Sequence, residues 1–599
     1  MFAAKFDIVL SYEQNDDRNV RIGRIWTREI CRSCVDIKGR VVRSFVILAF
    51  VLLVSSCGKV FAWSDSLRAE VSFYGGFSGN KFIHPLWSYS NQWGKFAQYE
   101  QGEFVLNPKC AYSVTLSDNL SLEAGLSLLG KSDFKESKLH EAYLKGCAYM
   151  VDFVAGLEAF TPFCKNDGIG TGAFLLSSNA RPLPKVGLGF FDYKPVPFTF
   201  NLLHLKFGLY HGLMFDDEYG NFYNYPKKVH LHEKFLYGKL NLPYVKPSFG
   251  LTHSALLGGV SRNGVEIPID YWATFFAKGS SRIGDAGFKG EQTNVAGAHQ
   301  GLWHYGVELD FDNVGAELYY NRPFSGRSGI SPVSVRNRDH QAGVILNLKG
   351  CKLVKRINLE YFKTDYQMGR GTPDPYGENK DGEMVCVVPG DLPTDNDERM
   401  KWLLEHFERE TIEEWEKRNN CSLYDDYEAV SDFFLDMWGR GYRFGGRRPY
   451  LSNGLYYQGW SADGLSTGTP LFHSAKTMQI YAKGTVIQNF MFFTNVRINA
   501  VHLGLEGEFS DIIDYRFKFT YSKNHGSLNE CYKGGSYSWI PLENYYYAKA
   551  KTECYTAFFI NCKLGSNILF NGVVAYDFGQ LYHTFGARAG LTYFFENVR

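Results

Sequence analysis

Polarity in this chain alternates with a period of two over segment after segment, and that pattern limits the fold more than any other feature. Leu120, Leu122, Ala124, Leu126 and Leu128 are interleaved with Ser121, Glu123, Gly125 and Ser127. Further along, Trp303, Tyr305, Val307, Leu309 and Phe311 alternate with His304, Gly306, Glu308 and Asp310. After Asp312-Asn313 the alternation resumes with Val314, Ala316, Leu318 and Tyr320 against Gly315, Glu317 and Tyr319. Successive side chains of a strand point to opposite faces, so this is a β-hairpin with one apolar and one polar face. Val501, Leu503, Leu505, Gly507 and Phe509, followed by Tyr515, Phe517, Phe519 and Tyr521, repeat the form, with His502, Glu506 and Glu508 opposed to Arg516, Lys518 and Thr520.

A soluble sandwich also alternates, but three details favour a transmembrane barrel. The segments run to ~9–11 residues, the length that crosses a bilayer at a tilt. Aromatic residues gather at strand ends, where interfacial girdles lie, and about 18 such segments fit between Leu67 and the C-terminus, the count of a large barrel. The polar faces set opposite charges at facing positions, which suits an enclosed wet lumen. The expected fold is therefore all-β: a transmembrane antiparallel barrel with a small helical insertion. The final segment, Gly590-Leu591-Thr592-Tyr593-Phe594-Phe595, resembles the signal read by the outer-membrane barrel-insertion machinery, a partner in biogenesis. It departs from that signal in the tail Glu596-Asn597-Val598-Arg599.

Phe45 to Val54 form an unbroken apolar run preceded by Lys38, Arg40 and Arg43, the layout of a secretory signal. The run is too short for a membrane helix. Val60-Phe61-Ala62 reads as a cleavage site that leaves Trp63 as the first mature residue. The alternative is a lipobox at Val54-Ser55-Ser56-Cys57, which would lipidate Cys57. The expected organisation is a mis-annotated or disordered extension over 1–40, a signal peptide over 41–62 and a barrel over 63–599. Nine cysteines follow Ala62 at irregular spacing, several within strand-like runs, where a thiol serves as a small apolar side chain.

Residues 391–440 break the pattern with 15 acidic and 6 basic side chains. Thr394 and Asp397 are placed for a capping box. Met400, Leu403, Leu404 and Phe407 repeat at helical spacing, and Val430, Phe433, Phe434 and Met437 suggest a second helix. This reads as an acidic helical insertion in a loop.

Composition narrows the function. Net charge is +1, with 64 basic against 63 acidic residues, so the counterion-displacing surface that nucleic-acid binding needs is missing. Aromatic residues make up 16% of the chain, more than girdles and outward strand faces alone must use.

Several stretches, in order along the chain, resemble the capsule-assembly Wzi family of outer-membrane proteins in the form found in Bacteroidetes. They are His232-Glu233-Lys234, Gly250-Leu251-Thr252-His253-Ser254-Ala255-Leu256-Leu257-Gly258-Gly259, Asn337-Arg338-Asp339-His340 and Leu359-Glu360-Tyr361-Phe362-Lys363-Thr364 with Gln367. Ser452-Asn453-Gly454-Leu455-Tyr456-Tyr457-Gln458-Gly459-Trp460, Gly468-Thr469-Pro470-Leu471, His502-Leu503-Gly504-Leu505 and Thr520-Tyr521-Ser522-Lys523-Asn524 complete the set. The resemblance implies a plugged outer-membrane barrel that acts as a surface lectin, holds or organises capsular or related polysaccharide, and has no catalytic activity. The insertion and the 1–40 extension have no counterpart in it.

The residues most suited to a polysaccharide are Arg440, Arg443, Arg447 and Arg448, interleaved with Tyr450, Tyr456 and Trp460 in a glycine-rich run. Guanidinium groups bind acidic substituents through a rigid fork of donors, and aromatic rings offer flat apolar area to sugar faces. The competing reading is an arginine-lined lumen. His230, His232 and Glu233 lack a third metal ligand nearby, and His406 with Glu410 reads as a solvated helix face. His253 reads as a hydrogen-bonded lumen residue. No nucleophile, Walker or zincin pattern is present, so no catalytic residue, metal or cofactor is expected. The partners expected are surface polysaccharide and outer-membrane lipid. A porin is the alternative function, and an outer-membrane hydrolase the third class.

Overall fold

The computed structural model describes residues 64–131, 137–162, 168–214, 228–261, 264–293, 295–326, 338–367, 376–378, 384–386, 392–426, 429–430, 433–434, 449–488, 491–531 and 542–598. Eighteen of its strands close into one antiparallel barrel. In chain order they are Ser64–Ser78 (β1), Gly102–Ser117 (β2), Leu120–Lys131 (β3), Lys138–Ala148 (β4), Val151–Leu157 (β5), Pro184–Pro195 (β6), Leu203–Leu213 (β7), His230–Leu240 (β8) and Val245–Leu257 (β9). Ala298–Asp310 (β10), Val314–Ser325 (β11), His340–Leu348 (β12), Arg356–Lys363 (β13), Ile498–Ser510 (β14), Ile513–Asn524 (β15), Lys551–Lys563 (β16), Ile568–Gly579 (β17) and Thr584–Val598 (β18) complete the wall. Each strand pairs with its sequence neighbours, and β1 closes on β18 from Ser66↔Val598 to Ser78↔Gly586. The tail that departs from the insertion signal is thus part of the closing strand.

Register places the apolar half of most alternations outside. Leu236, Phe249, Leu318, Leu359, Val501 and Val574 are exposed on the outer face, as lipid contact requires. Aromatic residues ring both rims: Phe77, Tyr320, Tyr361 and Tyr521 at one, Tyr244, Phe311, Phe509 and Phe595 at the other. The second rim carries short turns such as Asp118-Asn119 and Tyr149-Met150, while the first carries the long connections. No helix among the described residues is long and apolar enough to cross a membrane; the crossing is made by strands.

The inner face is stoppered at the long-loop end. Three connections, 79–101, 158–183 and 364–497, contribute Trp87, Phe96, Phe174, Leu175, Tyr450, Leu451, Trp460, Leu471 and Phe493 to one close-packed apolar cluster inside the wall. Phe174 stacks on Phe362 of β13 at 5.8 Å and meets Tyr450 and Phe472 edge-on. Burying rings of this size is worth ~3–5 kcal/mol each by truncation, so the stopper is an integral core.

The acidic insertion folds around a separate cluster. Asn396–His406 (α1) and Arg409–Asn419 (α2) bury Leu403, Ile412 and Trp415 against Leu423, Val430, Phe433 and Phe434. The cap differs from expectation: Asp395, not Thr394, accepts from the amides of Asp397 and Glu398 at 3.0 and 3.1 Å. The one-residue shift frees the Thr394 carbonyl to accept from the buried Arg399 guanidinium at 3.0 Å. The apolar spacing does not foresee the helix Arg409–Asn419, because only Ile412 and Trp415 of its eleven residues are buried. The helix expected from Val430, Phe433 and Phe434 is helical at 429–430 and 433–434, and Met437 lies outside the described residues.

Gly504 of β14 marks the tightest approach of stopper to wall, since a Cβ built there would lie 1.7 Å from the Ile169 carbonyl oxygen. Gly504→Ala is expected to lower the thermal midpoint of the barrel by displacing that carbonyl. Gly238→Ala, whose methyl meets only Leu205 at 3.8 Å, is the matched control. Heat-dependent gel mobility of the refolded proteins compares them, and equal midpoints would show that the stopper does not bear on the wall there.

Candidate functional site

Hydrogen bonds fix the stopper to the barrel at several points. His502 of β14 donates through Nε2 to the Ile169 carbonyl at 2.7 Å, while its Nδ1 accepts from the Thr520 hydroxyl at 2.7 Å. Lys518 of β15 donates to Gly170 at 3.0 Å and Gln341 of β12 to Gly172 at 2.7 Å. The Thr171 hydroxyl donates to Glu360 of β13, which also accepts from Tyr319 at 2.6 Å. Four consecutive residues, three by their carbonyls and Thr171 by its hydroxyl, are therefore held by four neighbouring strands. On the other side, Arg588 of β18 donates to Ser88 at 2.6 Å and to Gln92 at 2.9 Å, with its guanidinium 3.3 Å over Phe96. Such charge-assisted bonds in a dry setting contribute ~1.5–3 kcal/mol each.

The upper surface of the stopper carries a depression of about 400 Å³ lined by Phe82, Tyr99, Lys476, Gln479, Ile480 and Lys483. Its floor is a short helix, Ala475–Tyr481 (α3), whose N-cap Ser474 accepts from the Thr477 amide. The capped turn sends Thr477 and Met478 into the core and leaves Lys476 and Gln479 exposed. Tyr99 is anchored to α3 through hydroxyl bonds to Thr477 at 2.8 Å and Ser474 at 3.1 Å, and Lys476 Nζ sits 4.2 Å over its ring. Phe82 leaves 57% of its surface in the open. A free aromatic face beside two ammonium groups and an amide matches a sugar ring bearing acidic substituents.

The polysaccharide residues read from sequence fall differently. Tyr450, Tyr456 and Trp460 are buried within the stopper. The Tyr450 hydroxyl donates to Asp339 at 2.8 Å, and Trp460 Nε1 donates to Ser254 of β9 at 2.8 Å. Their rings face protein on both sides. Arg440, Arg443, Arg447 and Arg448 lie outside the described residues, as do Cys57, Ala62 and Trp63. His253 is not in the lumen: its register partner Gly301 lies on the outward face, and it donates through Nε2 to His299 at 2.9 Å. His230 and His232 also point outward and Glu233 inward, so strand alternation keeps them apart. His406 stacks on Trp402 at 3.7 Å and donates to its carbonyl. Among the described residues no group of three or more His, Cys, Asp or Glu is arranged to hold a metal ion, and Cys147, Cys351, Cys554 and Cys562 are free thiols.

Below the stopper the lumen is wet and internally neutralised. Arg68, Lys109, Glu123, Glu141, Lys145 and Glu158 line a cavity of about 760 Å³. Ion pairs tie them together: Arg68–Glu123 at 2.6 Å, Lys109–Glu141 at 2.8 Å and Lys145–Glu158 at 3.0 Å. The facing opposite charges expected from the β14–β15 hairpin appear at Glu506↔Arg516, whereas β10 and β11 set Glu308 directly opposite Glu317, with Lys239 at 3.4 Å from Glu308.

Titration is perturbed where loop groups enter the stopper. Burial, then the neighbouring Asp365, raises the Asp339 carboxyl to about 7. Burial lowers the His473 imidazole to about 4; its ring nitrogens bond the hydroxyls of Tyr481 and Tyr555. His84 is also lowered to about 4, chiefly by burial, with the Arg588 guanidinium adding to the effect.

No protein-family model and no curated protein matches the chain. Among solved structures it is similar to Wzi, an Escherichia coli outer-membrane protein involved in group 1 capsule assembly and a carbohydrate-binding β-barrel. That likeness has 10% identity and a TM-score of 0.45, covering 88% of this chain and 85% of that one. It is similar as well to OccK5 (OpdH) of Pseudomonas aeruginosa, at 8% identity and TM-score 0.41 over 90% of this chain and 100% of that one. OmpT of Vibrio cholerae follows at 8% and 0.33, over 90% and 99%. Likenesses this distant carry no function across.

Two of the buried histidines, His84 and His473, contribute to an acid limit. A histidine whose folded value lies near 4 and whose unfolded value lies near 6.5 stabilises the fold fully above 6.5, and the contribution is lost as pH falls from 6.5 to 4. Asp339, raised rather than lowered, acts oppositely, gaining stability as pH falls from about 7. A His84→Asn/His473→Gln double variant is expected to flatten the decline in denaturant midpoint between pH 6.5 and 4. A decline as steep as in the parent would show that other groups set it.

Proposed function

We propose that this protein is a surface-polysaccharide-binding barrel of the outer membrane, which helps to assemble or retain capsule or exopolysaccharide on the cell. The observation that carries the reading is the depression of Phe82, Tyr99, Lys476 and Lys483, built on a stopper that fills the barrel end. Outer-membrane barrels turn their short connections to the periplasm and their long ones outward, so the depression faces the cell surface. An anionic chain would lay a sugar face on Phe82 while Lys476 and Lys483 meet its carboxylate or phosphate groups. Lysine suits this task because its ammonium is a compact charge on a mobile stem. The arginines at 440, 443, 447 and 448, which lie outside the described residues, remain sequence-based candidates for contact with the same acidic groups.

The order of the segments resembling the Wzi family supports the reading, and so does the signal-like run at 45–54, which would deliver the chain by Sec export. Binding and retention require no bond making, and the ion pairs of the lower lumen are matched donors and acceptors without a nucleophile. A porin would use the same charged lower lumen, but it would need the stopper to leave.

A Phe82→Ala/Lys476→Gln/Lys483→Gln variant is expected to lose about tenfold or more of the affinity for acidic polysaccharide stripped from the producing cells, three contacts at ~0.5–1 kcal/mol each. An Arg443→Gln/Arg447→Gln/Arg448→Gln variant tests the sequence-based candidates in the same assay, with dextran as the uncharged control. Unaltered binding in both variants, with the fold intact, would remove this site from the account.

A further inference from the structure

The connection between β9 and β10 covers the outside of the wall. Register puts His232 and Lys234 of β8, His253 of β9 and His299 of β10 on the outward face. Yet His232, His253 and His299 are almost wholly buried, whereas Leu236 and Phe249, lower on the same strands, are exposed to lipid. The cover is a string of short helices, Tyr271–Phe275 (α4), Ser281–Asp285 (α5) and Lys289–Thr293 (α6). Asp270 caps α4 through the Ala273 amide at 3.1 Å and accepts from the Ser280 hydroxyl at 2.7 Å, which ties α4 to the start of α5.

The underside of α4 fits a polar wall. Lys234 donates to the Phe275 carbonyl and lies 3.7 Å from the ring centroid of Phe275. Tyr271 and Phe275 flank His232 with ring centroids 5.4 and 5.3 Å away. His299 donates through Nε2 to Ala296 of the same connection at 2.9 Å. A bare lysine on this face would cost up to ~2–4 kcal/mol in lipid. The upper side of α4 is the reverse: Trp272 and Phe276 leave 64% and 60% of their surfaces open, and Ile269 and Val265 are exposed beside them. The ring centroid of Tyr271 in the same helix stands 6.0 Å from that of His211 of β7, so the edge is mounted on a wall whose outward residues Leu209, Leu213 and Leu236 are exposed.

We propose that this connection is a wall-mounted membrane anchor, with Trp272 and Phe276 seated in the outer leaflet at the rim and its underside shielding Lys234 and the histidines from lipid. The occupant of the edge is lipid, because the patch is apolar and is mounted on the outward face of β8, whose Leu236 is exposed to lipid, and an exposed Trp beside such a face is suited to the membrane interface. The anchor would also hold the stoppered end at a set depth, since it grips the leaflet outside the strands.

The test uses the full chain in phosphatidylcholine vesicles brominated at acyl positions 6 and 7. The fluorescence of the parent minus that of Trp272→Phe isolates Trp272, with Trp272→Tyr as a second subtrahend in case the first folds poorly. The difference signal is expected to fall about twofold or more against unbrominated vesicles and to be insensitive to aqueous iodide, as for a residue of the interfacial belt. Quenching by iodide would place Trp272 in water and overturn the proposal. Insensitivity to both reagents would do so equally, placing the residue under protein such as a second copy of the chain.

Discussion

Closure of β1 on β18 is the constraint from which the rest of the structure follows. Inside a bilayer no water is available to the backbone, so every amide and carbonyl of a strand must find its partner in another strand. The ladder from Ser66↔Val598 to Ser78↔Gly586 satisfies the last two edges at once. Once the sheet is a closed cylinder, strand alternation divides all side chains between lipid and lumen. A wide barrel then leaves a lumen that side chains of the wall alone do not fill. Here the filling comes from loops, and the polar wall residues that hold them, His502, Lys518, Glu360, Gln341 and Arg588, are inward members of the same alternation.

The two ends of the lumen obey different physics. At the long-loop end, apolar rings exclude water, and wall residues such as His502 and Arg588 bond to the loops, while the buried hydroxyls of Ser452 and Thr494 have no hydrogen-bond partner among the described residues. At the turn end water remains, and charges are arranged as neutral pairs that contribute little stability individually. The pairs still keep the wet cavity free of a strong field of either sign. A molecule built for selective passage would concentrate one sign of charge along a path. On the proposed reading, the groups that would meet a ligand, Phe82 with Lys476 and Lys483, line the depression above the stopper.

Much of this was legible in the sequence, and the limits are instructive. Alternation alone assigns Trp303, Tyr305 and Val307 to one face and His304, Gly306 and Glu308 to the other, as the β10 register has them. It does not tell what covers a face: His253, between Thr252 and Ser254, looked like a lumen residue because the helices that shield it on the outside come from a later connection. Tyr456 and Trp460 looked available for sugar because glycines surround them. Gly459 instead permits a φ of +55° and a close approach, since a Cβ there would lie 2.1 Å from the Leu451 carbonyl. The depression at the mouth left no local trace, because Phe82 and Tyr99 come from the first connection and Lys476 and Lys483 from the longest. Only the closed barrel brings them together.

The central claim is that loops of this chain stopper the barrel and turn its long-loop end into a binding surface. Planar-bilayer recording of the purified, unmodified protein tests it most directly. The account predicts insertion without stable conductance steps, at neutral pH and with either polarity. Long-lived open steps from the unmodified protein would contradict it, for the dry core of Trp87, Phe174, Tyr450 and Trp460 would then not be standing in the path.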